Sequence, residues 1–345
     1  MMSDLIKNLG VLSMANGSSG DEGAVRKIIL SMLEKIPDCK ARVDNLGNIL
    51  AEKQGKIRPQ KRVLFCAPMD EPGFIITNID ENGFLKFECV GSIDSRVVIG
   101  RCALIGENSV PALIGSKALH LLEKDERTTP ADIDKLYMDI GADSKEEAER
   151  RVHIGDRAVF EGSFLEFGDG FAMGKALEGR AGCAALLELL SAPAEYDFCA
   201  CFAVRKEIEG AGCGPAAFTL APDIAVVVDG ASAGDIPAVS GDKRSCSLGK
   251  GVVTAFKDGR TVYDTALCRR LSELCEANEI PIQVKRNLSE YSLGEDIHAA
   301  KGGVRTICAE YPVRYARSSG AVLKISDLEH EVKLLEILSM ELAAI

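Results

Sequence analysis

Two textures of hydrophobic patterning divide this chain. Toward both ends, apolar residues recur at helical spacing or in short unbroken runs, whereas between about residues 73 and 165 they alternate with polar ones and are interrupted by Gly and Pro. Leu5, Ile6, Leu9 and Leu12 mark a helix over 3–15, and Val25, Ile28, Ile29, Met32, Leu33 and Ile36 trace the apolar face of a second, with Ser19-x-x-Glu22 as its capping box. Asp44-Asn-Leu-Gly-Asn-Ile-Leu50 has the residues of a hairpin turn into an edge strand. Helices are also expected over 181–190, 210–220 and 266–277, and from a capping box at Ser326-x-x-Glu329 through Leu342.

The unbroken runs read as strands covered on both faces by helices. Arg62-Val-Leu-Phe-Cys-Ala-Pro-Met-Asp-Glu-Pro-Gly73 ends in Asp70 and Glu71, 198–204 in Lys206 and Glu207, 224–228 in Asp229, and 306–309 is followed by Arg314 and Arg317. In an open sheet the ligand crevice lies beyond the carboxyl ends of the strands, so these charges are expected to converge. Strands alternating with helices predict an α/β fold, a mostly parallel mixed sheet flanked by helices. The alternating segments Phe84-Leu-Lys-Phe-Glu-Cys-Val90 and Val97-Val-Ile-Gly-Arg-Cys-Ala-Leu-Ile105, with a capped helix at Ser144-x-x-Glu147, predict a small β-rich domain, barrel or sandwich. The expected division is 1–72 and 166–345 for the α/β domain and 73–165 for the insertion.

Charge narrows the partners. A net charge of -11, from 41 basic and 52 acidic residues, argues against a nucleic-acid or anionic-membrane surface. No apolar run reaches the roughly 18 residues that span a bilayer. The 12 cysteines include no CxxC pair, and several sit in apolar runs, as reduced thiols acting as small core hydrophobes do. The absence of a signal peptide adds the expectation of a soluble, cytoplasmic protein.

Gly210-Ala-Gly212-Cys-Gly214 after a strand, with Asp229 further on, invites a dinucleotide reading and hence a nucleotide-binding oxidoreductase. Charged residues intervene between strand and glycines, and the third glycine comes one position early, so close helix packing is the better reading. Asp70, Glu178, Glu207 and Asp229 have the composition of a two-metal hydrolytic site, which also needs imidazoles. Of the histidines, His120, His153, His298 and His330, none stands at those strand ends.

These residues resemble the glutamyl and deblocking aminopeptidase group of dinuclear metallopeptidases, a family that also goes by the name endoglucanase and forms tetrahedral particles. The likeness runs nearly the whole length, through Asp44-Asn-Leu-Gly-Asn48, Ala67-Pro-Met-Asp-Glu-Pro-Gly-Phe74, Ile114-Gly-Ser-Lys-Ala-Leu-His-Leu121, Met138-Asp-Ile-Gly-Ala142, Lys175-Ala-Leu-Glu-Gly-Arg-Ala-Gly-Cys183, Glu207, Val228-Asp229, Leu248-Gly-Lys-Gly251 and Pro312-Val-Arg-Tyr315. It implies a zinc-peptidase-like fold, a homo-oligomer, a peptide ligand and two divalent metals such as Zn or Co.

The same likeness exposes departures. Pro68 stands where the family has a histidine, Glu178 where it has a bridging aspartate, Gly179 where an acidic residue follows, and Arg317 where it has a final histidine. Two successive family glutamates, general base and ligand, correspond to Lys206 and Glu207, while Asp229 matches a ligand aspartate and the stretch Gly294 to His298 is altered. Asp70 and Lys206 thus occupy catalytic positions, but an ordinary lysine, with a pKa of about 10.4, donates protons at neutral pH rather than accepting them. Glu178, Glu207 and Asp229 become vestigial metal ligands, with ion pairs from Lys206, Arg317 and Arg180 in place of the ions. The expectation is a non-catalytic homologue without a cofactor, acting as a binding or assembly subunit, with an active paralogue as a candidate partner. The alternative is an active metal-dependent aminopeptidase that hydrolyses N-terminal residues of peptides through an unusual ligand set.

Overall fold

Most elements form near where the patterning places them, in a computed structural model that describes residues 2–124, 127–209, 212–286 and 291–345. Helices α1 (Met2–Met14) and α2 (Gly23–Leu33) precede the hairpin β1 (Cys39–Val43) and β2 (Ile49–Lys53), and β3 (Val63–Pro68) is the first unbroken apolar run. The alternating segment gives β4 (Gly73–Ile79), β5 (Leu85–Val90), β6 (Cys102–Ile105), β7 (Val110–Gly115), β8 (Tyr137–Asp139), the short α3 (Lys145–Ala148) and β9 (Arg157–Phe160). There follow β10 (Leu165–Phe167), β11 (Phe171–Gly174), α4 (Leu177–Ser191), β12 (Phe198–Ala203), α5 (Cys213–Leu220), β13 (Ile224–Ser232) and β14 (Val252–Thr254). The rest comprises β15 (Lys257–Asp258), β16 (Thr261–Val262), α6 (Thr265–Ala277), β17 (Ile282–Val284), α7 (Gly294–Ile297), β18 (Arg305–Arg314), β19 (Ala321–Lys324) and α8 (Ile325–Ala344).

An 11-stranded mixed sheet runs β1-β2-β12-β3-β13-β18-β19-β11-β10, with β14 joining β18 and β17 joining β14. Its four central strands, β12, β3, β13 and β18, are mutually parallel, whereas the strands on either side of them pair antiparallel. β3 and β12 are buried at every residue, as runs without polar alternation require. Against β3 and β13 lies α4, buried on nearly all sides because small residues let it approach the strands. A β-carbon on Gly179 would meet the Pro68 carbonyl oxygen at 2.5 Å, and one on Gly182 the Val228 oxygen at 2.8 Å.

The alternating segment closes on itself as a barrel, β4-β5-β8-β7-β6-β9. Its inward residues form a separate apolar centre in which Phe74 meets Phe87 and Phe160 edge to face, at centroid distances of 5.1 and 5.2 Å. We propose two domains on this basis, with the second boundary a few residues before 166, because β10 begins at Leu165 and already pairs in the large sheet.

Several local expectations are corrected. Ser19 does not cap α2, whose N-cap is Glu22; its hydroxyl turns to Asp70 instead. Ser326 does not cap α8 either, because the helix begins one residue earlier and Lys324 occupies the cap. Ser144 does accept the Glu147 amide, at 3.3 Å. The Asp44 turn forms, but β1 is the edge and β2 is covered by β12. Only the second half of 97–105 is strand.

Candidate active site

Left-handed turns aim the charged side chains. Asp70 leaves β3 after Met69, whose amide donates to the Ala203 carbonyl at 2.8 Å and so ties this exit to the end of β12. Beyond β12, Arg205 adopts φ 62° and reverses the chain so that Lys206 and Glu207 turn into the fold. Ala176, at φ 57°, starts α4 sharply and leaves Glu178 in its first turn. Tyr311 of β18 fixes that turn: its hydroxyl accepts the Gly182 amide at 2.7 Å and donates to the Glu178 carbonyl.

Four carboxylates and two cations meet there. The Lys206 ammonium lies 3.1 Å from Glu207 Oε1 and 3.3 Å from Asp229 Oδ2, and Arg317 Nε lies 3.1 Å from Glu207 Oε2. The Arg317 backbone amide donates to Glu178 Oε1. Asp70 Oδ2 accepts the Glu207 amide at 2.9 Å and the Ser19 hydroxyl, while Oδ1 has no hydrogen-bond partner among the described residues. All these groups are buried except the Arg317 side chain, which is 36% exposed. The barrel roofs the crevice: Gly91, at φ +96°, would carry a β-carbon 2.9 Å from Glu207 Cβ.

Burial and charge set the protonation. Burial alone would draw the Lys206 ammonium down, but Asp229 and Glu207 outweigh it and hold the pKa well above the usual value. Glu207 is lowered: burial pushes it up, and Lys206 and Arg317 together overcome that. Asp229 and Glu178 are raised, burial being the main cause in each. Asp70 is pushed up to about 6 by burial and then by the Glu207 charge.

The expected convergence differs in two places. Glu207 and Asp229 converge without ending neighbouring strands, because β3 runs between β12 and β13, and Lys206 spans that gap. Arg180 belongs to a different network. Two positions along α4 from Glu178, it projects to the other side of the helix. There its guanidinium donates to the carbonyls of Leu12 and Met69, each at 2.6 Å, and lies 3.4 Å from Glu71, which also pairs with Lys175 at 2.9 Å. Arg314, close in sequence, instead grips Asp235 with two bonds of 2.7 Å.

The histidines are placed apart: His120 in an exposed turn, His153 3.9 Å from Asp156 in the barrel, His298 bonded to the Gly294 carbonyl at 2.7 Å, and His330 on α8. Residues 210–211 of the glycine stretch lie outside the described residues. Gly212 is required for close approach, since its β-carbon would meet the Val204 carbonyl at 1.8 Å.

Sequence reasoning missed a further buried charged cluster. Lys285 lies 2.7 Å from Asp258 and 2.9 Å from Glu310, the register partner of Asp229, while nearby Glu331 is wholly buried with neither carboxyl oxygen hydrogen-bonded among the described residues. Asp258 of β15, Lys285 just past β17 and Glu310 of β18 are far apart in the chain, so no spacing signal could have grouped them; the one legible hint was a glutamate on the apolar face of α8.

Comparison with known proteins agrees with this fold. Residues 47–334 match the model of the M42 glutamyl aminopeptidase family. A relative from Acetivibrio thermocellus that carries an aminopeptidase name is 34% identical over 97% of both chains. The TET aminopeptidase of Thaumarchaeota archaeon SCGC AB-539-E09 superposes with a TM-score of 0.93 at 27% identity, covering 99% of this chain and 97% of that one. The TET1 peptidase of Pyrococcus horikoshii, described as assembling into a tetrahedron or a large octahedral shell, does so with a TM-score of 0.86 at 30% identity, covering 98% and 99%. From the parallel core, the closed barrel and these matches together, the chain belongs to the M42 glutamyl aminopeptidase family.

Proposed function

We propose that the dinuclear metal site of this family has been replaced here by an internal ion-pair network, and that the chain acts as a non-catalytic binding or assembly subunit. The observation that carries this is the Lys206 ammonium, 3.1 Å from Glu207 and 3.3 Å from Asp229. A dication bound by either carboxylate would have to displace it. The donor set does not suit two dications, because Pro68 and Arg317 offer no ligating nitrogen where the family resemblance places imidazoles. The virtual β-carbon of Gly179, 2.5 Å from the Pro68 carbonyl, supports the same reading: no acidic side chain fits after Glu178.

Without a metal, a Lys206 that Asp229 and Glu207 hold in its charged form is a poor acceptor for a proton from water, so no hydrolytic step is assigned. The chain's own groups can still bind. Arg317, partly exposed at the mouth of a crevice rich in carboxylates, would meet a peptide, and we propose a peptide terminus as the ligand class. Assembly into a homo-oligomer, alone or with an active paralogue, follows by analogy with the Pyrococcus horikoshii protein and is measured by light scattering.

The competing reading is a metallo-aminopeptidase that recruits an ion around Glu178, Glu207 and Asp229. The aminopeptidase name of the Acetivibrio thermocellus relative favours it. Hydrolysis of aminoacyl anilides with added zinc, cobalt or manganese separates the two. We expect no turnover, and none after Lys206→Glu or Arg317→His alone, because base and ligands act as a unit. Metal-dependent turnover by the unaltered chain would overturn the proposal.

A further inference from the structure

Beneath the crevice, three thiols share one enclosed point. Cys66 of β3 and Cys201 of β12 are register partners on adjacent parallel strands, and Cys213, the first residue of α5, lies against both. The three sulfurs lie within 4.8 Å of one another, Cys66 and Cys213 being 2.9 Å apart, and all three residues are 0% exposed.

The third sulfur is held there by construction. Gly212 passes so close to the Val204 carbonyl that no side chain could replace its hydrogen. Asn48 clamps the same passage, its side-chain amide donating to the Gly212 carbonyl at 3.0 Å and accepting the Val204 amide at 2.9 Å. α5 therefore begins at a fixed distance from β12 and β3. Hydrogen bonds from Cys201 and Cys66 draw the Cys213 thiol below its usual range, while Cys66 is raised, first by burial. Two thiols therefore face Cys213, the sulfur whose ionisation its neighbours favour.

We propose that Cys66, Cys201 and Cys213 form a trigonal thiolate site for a soft monovalent cation, copper(I). Sulfur donors select soft ions. Zinc in a closed structural site takes four ligands, and an iron–sulfur cluster four cysteines, whereas this cluster groups three sulfurs with no fourth His, Cys, Asp or Glu ligand atom within 4.8 Å among the described residues. Three sulfurs about 2.3 Å from a shared ion stand about 4 Å apart, so loading opens the Cys66–Cys213 pair and releases the thiol protons to solvent. The bound ion would staple α5 to the two strands that carry Asp70, Lys206 and Glu207.

The test is anaerobic titration of the reduced chain with copper(I) supplied as its bathocuproine disulfonate complex, both on the folded protein and during refolding. We expect one equivalent per chain taken from the chelator, a sulfur-to-copper charge-transfer band, and a copper–sulfur shell of three in X-ray absorption. Cys213→Ser and Cys201→Ser should abolish uptake while the exposed-cysteine variant Cys102→Ser retains it. Should a variant fail to fold, the absorption shell of the unaltered protein decides. No uptake under either condition, uptake insensitive to these variants, or a Cys66–Cys213 disulfide in place of metal would overturn the proposal.

Discussion

Lys206 and Asp229 form an ion pair of 3.3 Å across a strand that belongs to neither of them. Lys206 follows β12, Asp229 sits within β13, and β3 lies between. The same ammonium reaches Glu207, so one cation bridges two carboxylates that the family resemblance places among the metal ligands. A buried cation of this kind is more important for what its removal would expose than for its net attraction.

Lys206→Met should therefore be strongly destabilising. It leaves Asp229 buried without its cation and Glu207 with Arg317 alone, and breaking a buried pair from one side costs about 3–5 kcal/mol. Urea unfolding measures this, and adding Asp229→Asn to Lys206→Met should recover part of the loss.

Arg317→Ala should cost much less, about 1 kcal/mol. Its side chain is 36% exposed and solvent screens the pair with Glu207, while the backbone bond to Glu178 does not depend on the side chain. A loss as large as that of Lys206→Met would show that Arg317, rather than Lys206, balances the crevice.

Gly179→Ala tests the close approach of α4 to β3. A β-carbon 2.5 Å from a backbone oxygen forces the helix or strand to move, and overpacking of this sort costs about 1–3 kcal/mol or more. Alanine favours helices intrinsically, so a stabilised variant would mean that the approach is looser than described.

Glu331 gives a pH-dependent prediction. Burial, and then the charge of Glu310, raises its pKa to about 8, whereas the unfolded chain titrates at about 4.3. Between those values the folded state keeps a proton that the unfolded state has lost, so this group's contribution to stability falls as pH rises through the window. Glu331→Met should gain on the unaltered chain across that range, by an order of 3 kcal/mol near pH 7, and the difference should level off above about pH 8. Thermal unfolding at several pH values reads it, and a constant difference would contradict the assignment.

Much of this was legible in the sequence, for physical reasons. Runs such as 62–67 and 198–204 lack polar alternation because both faces are covered, and that pattern located the parallel centre and the ends where charges gather. The barrel showed in the alternation of Phe84 to Val90. What stayed hidden depends on direction rather than position. Arg180 lies two residues from Glu178 yet faces the opposite side of α4, and Ser19, which looks like a helix cap, bonds Asp70 instead. Strand order was equally invisible: nothing between 198 and 229 announces that β3 inserts between its two neighbours.

The replacement of metal by ion pairs is tested most directly by metal retention. The purified chain is incubated with zinc, cobalt or manganese, dialysed, and analysed for metal beside Asp229→Asn and Cys213→Ser. We predict that no metal is retained at the carboxylates, so that Asp229→Asn and the unaltered chain give the same content, and that any ion lost in Cys213→Ser alone belongs to the thiol cluster. Retention of about one or two equivalents per chain that disappears in Asp229→Asn would contradict the replacement and establish a metal centre in the crevice.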